Sequence, residues 1–213
     1  MFRVLIFVFL STFSFAITAD DMFLNLKSFF SKNMPDTFIC EIKGENLSKS
    51  VREIPADAVR DKKNLRVELL FHKKWGSKVV LRGVVPAYED RFSYIERVFE
   101  YIIPFLKEKT FADFSKRYDL YDVKDFGFKL KKKLTYENYL DIYIKEGLIA
   151  QIKEFKNNKL LMNMNIFYKY QGKYFLPAEL KVFFYEEDKL KILKFELTNF
   201  DFNPKMTEEE FLG

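Results

Sequence analysis

From Asp122 to Phe202 the chain reads as a series of alternating apolar and polar runs separated by short polar turns, and that pattern limits the possible folds more than any other feature. Phe126, Phe128, Leu130 and Leu134 share one parity. Lys129, Lys131 and Lys133 share the other, and Lys132 is the exception on the apolar side. Leu140, Ile142 and Ile144 form the inner set of the next run. Short polar pairs punctuate the rest: Glu146-Gly147, Asn157-Asn158, Gln171-Gly172 and Glu187-Asp188. Alternation at period two marks a strand with one buried face, and a two-residue polar turn between such runs marks a hairpin. The segment predicts an antiparallel meander of about six strands.

Upstream, Thr37 to Gly44 alternates as a strand. Residues 45 to 63 read as turns, at Glu45-Asn46 and Pro55, around one more short strand. Leu65, Val67, Leu69 and Phe71 then oppose Arg66, Glu68 and His72. Trp75-Gly76-Ser77 turns the chain into a strand from Val79 to Val85, which Pro86 ends. Two stretches change period. Met22, Leu26, Phe29 and Phe30 predict an amphipathic helix from Asp20 to Lys32. Tyr88, Phe92, Ile95, Phe99, Ile102 and Leu106 fit one face of a helix of about five turns, kinked at Pro104. Thr110 to Asp113 resembles a capping box that opens a short helix carrying Phe114 and Tyr118. The order is helix, roughly four strands, helical insert, about six strands.

So many long strands do not lie flat. The expected fold is α+β: a strongly curved antiparallel sheet, a half-open barrel of about ten strands, with helices packed into its concave face. No linker divides the chain, so residues 20–213 are expected to form one domain.

Residues 1–19 read differently. A basic start (Met1-Phe2-Arg3), an apolar run from Val4 to Leu10 and small residues at Ala16 and Ala19 before Asp20-Asp21 have the layout of a secretory signal peptide. Val4 to Ala19 falls short of the roughly 20 apolar residues of a membrane span. Cleavage after Ala16 fits the pattern, and cleavage after Ala19 fits it better, because an acidic start follows. The expectation is a soluble monomer in the periplasm or another extracytoplasmic compartment.

The side-chain inventory bears against catalysis. There is one Cys and one His in 213 residues. Cys40 alternates with Phe38 and Ile42 as a buried thiol does, and His72 lies beside Lys73-Lys74 on the polar side of its strand. Gly-x-Ser-x-Gly, Walker and HExxH motifs are all missing from the sequence. The reading is a non-enzyme with no cofactor and no metal. The net charge is +5. Lys129, Lys131, Lys132 and Lys133 suit phosphate groups, but export argues against nucleic acid, and a solvated outer face that discourages edge pairing explains them.

The remaining anomaly is apolar. Aromatic residues make up 18% of the chain, with 26 Phe. Leu160, Met162, Met164, Ile166 and Tyr168 share one strand face, and Met suits an adaptable apolar surface. A curved sheet so lined encloses either side chains or a lipid. Met162, Met164 and Ile166 are the candidate floor of a lipid site. Phe92, Ile95, Phe99 and Ile102 are its candidate lid.

Three stretches carry a resemblance. Glu146-Gly147-Leu148-Ile149-Ala150-Gln151-Ile152, Tyr170-Gln171-Gly172-Lys173-Tyr174-Phe175-Leu176-Pro177, and Leu197 to Asn203 with the later Phe211 are similar to turn and strand patterns of the periplasmic lipoprotein-carrier (LolA-like) family. That family includes RseB-type proteins and mycobacterial lipid-binding lipoproteins. The resemblance implies the half-barrel fold and an exported, non-catalytic carrier of acyl chains or lipoproteins in the cell envelope, with envelope proteins and peripheral membrane contact among its partners. The alternative is an envelope sensor or scaffold that binds a protein partner through the concave face.

Overall fold

A computed structural model describes residues 19–92, 95, 96, 98, 116–123, 127–133, 135, 137–186 and 189–212. The signal segment, the Pro104 kink, the capping box at Thr110 to Asp113, and Phe99 and Ile102 lie outside the described residues. The chain opens with helix α1 (Ala19–Asn33). Strand β1 (Thr37–Lys43), helix α2 (Glu45–Arg52) and strands β2 (Arg66–His72) and β3 (Gly76–Arg82) follow. Strands β4 (Tyr118–Val123), β5 (Gly127–Lys133), β6 (Tyr139–Lys145), β7 (Leu148–Lys156), β8 (Lys159–Gln171), β9 (Tyr174–Glu186) and β10 (Lys189–Phe202) come next. Helix α3 (Glu208–Leu212) ends the described chain.

All ten strands form one antiparallel sheet in the order β3-β2-β1-β10-β9-β8-β7-β6-β5-β4, which leaves β3 and β4 at its two ends. The sheet is a half-barrel and does not close. Register shifts interrupt the ladders at Ile39/Glu41, Tyr143/Ile144, Glu154/Phe155 and Phe167/Tyr168. Such bulges bend a strand and increase its twist, which curves the sheet. Its tight turns use positive φ, which Gly and Asn adopt readily and Glu146 adopts only beside Gly147. Glu146 and Gly147 stand at φ 55 and 78, and Asn157 and Asn158 at 50 and 58. Paired positive φ values suit the right-handed twist of a tight hairpin.

Two apolar clusters sit on opposite faces. The larger covers the concave face and takes in Met22, Phe23 and Leu26 of α1 and Leu47 of α2. The smaller lies on the convex face, where Phe211 of α3 packs with Leu70, Val80, Ile39, Trp75 and Met206. Thus α1 packs into the concavity as expected, α2 joins it there unforeseen, and α3 caps the other side.

The structure corrects four details of the sequence reading. Residues 45–52 are helix, not turn and strand. Leu47 and Val51 lie one turn apart on the same side, and Glu45 pairs with Lys49 at 2.8 Å along the helix. Tyr118 begins β4 instead of riding on a helix, and its ring is buried in the concave core. Tyr88 closes a 3-10 turn headed by Pro86, so no long helix begins there. Lys129 and Lys131 have the expected parity but are half-buried: each ammonium lies over a ring, Tyr121 at 4.9 Å and Tyr139 at 3.8 Å. Aromatic neighbours on the convex face draw in the lysine stems. Of Lys133, only the backbone is described.

Candidate functional site

Cross-strand register builds the concave face row by row. Leu130, Ile142, Ile152, Met164, Val182 and Leu193 are successive partners from β5 to β10. The first five have no exposure at all. Ile166, Leu180 and Phe195 extend the apolar surface on one side. On the other side the row runs Tyr118, Lys132, Leu140, Glu154, Met162, Phe184, Lys191, with charged groups set among apolar ones. This mixed row forms a polar lip to an apolar surface. Lys132 was visible in the sequence as the one parity exception. Glu154 was not, because the bulge between Tyr143 and Ile144 shifts the parity of β7 relative to β6.

The structure places the candidate floor at the middle of this face: Met162, Met164 and Ile166 are 2%, 0% and 5% exposed. Phe92 and Ile95, from the connection between β3 and β4, belong to the same contiguous core and are equally buried. Glu96 ties that connection to the sheet, since its Oε1 accepts a hydrogen bond from the Val79 N–H at 2.7 Å. The residues assigned to lid and floor therefore share one interior where described. The rings at its margin are only half-buried: Phe128, Phe184, Phe200 and Phe202.

The few reactive groups have structural occupations. Cys40 is fully buried; burial first, and the Glu68 charge second, push its thiol up and hold it protonated. The Tyr168 hydroxyl donates to the Ile149 carbonyl at 3.1 Å, and burial pushes its phenol up as well. His72 is half-buried, not solvated. Its ring stacks on Trp75 at 3.8 Å, and its Nδ1 accepts from the Lys74 and Trp75 N–H groups at 3.1 and 3.3 Å. Burial and the Lys74 charge hold the imidazole below its ordinary value, with Asp36 opposing. On the convex face a cleft of about 430 Å³ is lined by Glu41, Arg66, Glu68, Asn199 and Asp201, among others. Its Glu68 carboxylate is used internally, because it accepts from Arg66 at 2.7 Å and from Arg82 at 2.9 Å. Among the described residues no cluster of three His, Cys, Asp or Glu is placed to hold a metal ion. No described helix is long and apolar enough to cross a membrane.

Fold and site together define a class: an open antiparallel half-barrel whose concave face is apolar at its centre and polar along one lip. No family model matches the chain. No curated protein matches it either. Among solved structures, a DUF1329 family protein from Desulfovibrio piger is similar at 9% identity and a TM-score of 0.45, over 89% of this chain and 95% of that one. A putative outer membrane lipoprotein-sorting protein domain from Vibrio parahaemolyticus is similar at 11% identity and a TM-score of 0.43, over the same shares.

Proposed function

We propose that the protein is an exported, non-catalytic carrier that binds the acyl chain of a lipid or lipoprotein on its concave face. The observation that carries this reading is the unbroken apolar row from Leu130 to Leu193, with Met164 at its middle and α1 laid into the same concavity. Burying one methylene is worth roughly 0.8 kcal/mol, so a chain of about fifteen gains on the order of 12 kcal/mol gross. Because Phe92, Ile95 and Met164 are already buried, the acyl chain must displace the cover to enter. That displacement, with the loss of chain freedom, offsets much of the gain and keeps binding reversible. The test is native mass spectrometry of protein purified from its own envelope fraction. A bound species of lipid mass, released by detergent, is expected. Uniformly unliganded protein would count against the reading.

One observation favours the alternative of an envelope scaffold. Phe167, Tyr185, Leu190 and Ile192 are between 39% and 55% exposed, and all have convex-face parity. A protein partner would meet that apolar surface, so its site would be the convex side and not the concave face.

A further inference from the structure

Among the described residues, the sheet guards one edge and leaves part of another without a partner strand. At β3 the outward N–H groups are occupied: Val79 donates to Glu96 Oε1 at 2.7 Å and Leu81 to the Glu89 carbonyl at 2.8 Å. The first half of β10 differs. Its neighbour β1 pairs with it only from Glu196 to Phe202, because the chain leaves the sheet at Gly44 and enters α2. Lys189 to Phe195 therefore have β9 on one side and no strand on the other among the described residues.

The direction of the backbone groups on that half-strand can be read from Gly44. A β-carbon added to Gly44 would stand 2.8 Å from the Lys194 carbonyl oxygen, so this oxygen points away from β9. Backbone groups alternate in direction along a strand, so Ile192 and Leu190 present their N–H and C=O to the same open side. Their side chains are 48% and 55% exposed, beside Phe183 and Tyr185 on β9. The opposite face of this half-strand carries exposed Lys189 and Lys191, and Lys191 pairs in register with Phe184.

The geometry points to this open edge as a docking site for an extended segment of another polypeptide, added antiparallel to β10, with acidic residues alternating with apolar ones. Only a strand can satisfy two successive sets of outward N–H and C=O groups at strand spacing. The alternation follows from the two faces: apolar side chains meet Leu190 and Ile192, and acidic ones meet Lys189 and Lys191. The inference goes beyond the carrier reading and stands whether or not the concave face takes a lipid.

The test uses a fluorescent peptide of alternating valine and glutamate, about six residues long as an ordinary strand is, titrated into the full mature chain. Saturable anisotropy is expected. Ile192→Pro should weaken binding about tenfold, the equivalent of one lost hydrogen bond, since it removes an outward N–H that β9 does not use. Lys191→Glu keeps every backbone group; it should weaken the valine–glutamate peptide and strengthen a valine–lysine one. No saturable binding to wild type, or binding indifferent to both substitutions, would overturn the proposal. Self-association through this edge that the peptide fails to compete away would overturn it too, by assigning the edge to a second copy.

Discussion

Met164 on β8 and Val182 on β9 stand directly opposite each other, and neither side chain is exposed. Ile152 flanks Met164 on β7, so the thioether is enclosed by three strands that cannot move independently. Such a site collapses poorly when atoms are removed. Met164→Ala should cost about 2–5 kcal/mol, read as a lower urea midpoint at unchanged slope. Met164→Glu would strand a carboxylate in the same place and should prevent folding altogether. A folded, stable Met164→Glu protein would show that this part of the concavity is wetter than its burial indicates.

Glu68 is buried on the convex face and bridges Arg66 and Arg82, which keep 39% of their side-chain surface exposed. Removing the carboxylate leaves two guanidinium groups that can turn to water, so the penalty stays below that of a fully buried triad. Glu68→Ala should cost about 1–3 kcal/mol. Arg66→Ala or Arg82→Ala alone should cost less, because the other arginine still pairs with Glu68. Equal urea midpoints for Glu68→Ala and wild type would contradict this reading.

His72 supplies a pH dependence whose sign is fixed. Its pKa is lower in the folded protein than in the unfolded chain, so the unfolded state takes up the proton first. Its contribution to stability is present above the unfolded imidazole value and is lost as the pH falls through about 6.5 and below. Protonation also removes the Nδ1 acceptor that holds the Lys74 and Trp75 N–H groups. His72→Asn keeps an acceptor and abolishes the titration. Thermal unfolding at a series of pH values should show the wild-type midpoint falling more steeply than that of His72→Asn across this window.

Gly44 is extended at φ −175, so its backbone tolerates any residue, yet a β-carbon would meet the Lys194 carbonyl. Gly44→Ala should therefore destabilise by about 1–3 kcal/mol through overpacking alone. A stability equal to wild type would mean that β10 is free to shift at this point, and the reading of its open edge would lose its anchor.

How much was legible depended on whether a residue's neighbours in sequence set its environment. Period-two alternation gave β5 to β10 and the burial of Cys40, and the polar pairs at Glu146-Gly147 and Asn157-Asn158 marked hairpins that the structure contains. α2 was missed because its apolar stripe is only Leu47 and Val51, too short to show a period. β4 was missed because Tyr118 fits a helical spacing as well as a strand, and only pairing with β5 decides it. The two errors offset in the strand count. Met162, Met164 and Ile166 were placed correctly on the inner face by parity. Glu154 on the lip depends on register across a bulge, which no local pattern encodes.

The central claim is that the concave face takes an acyl chain, and a fluorescent fatty-acid displacement titration tests it most directly. Phe184 is the informative position. It lies half-buried on the lip between Met162 and Lys191, where a polar substitution touches the apolar surface without stranding a charge in the core. The account predicts saturable, displaceable binding to the wild-type protein and binding at least about tenfold weaker for Phe184→Glu, with the circular dichroism spectrum unchanged. Absence of saturable binding to wild type would contradict the carrier reading and leave the scaffold reading in its place.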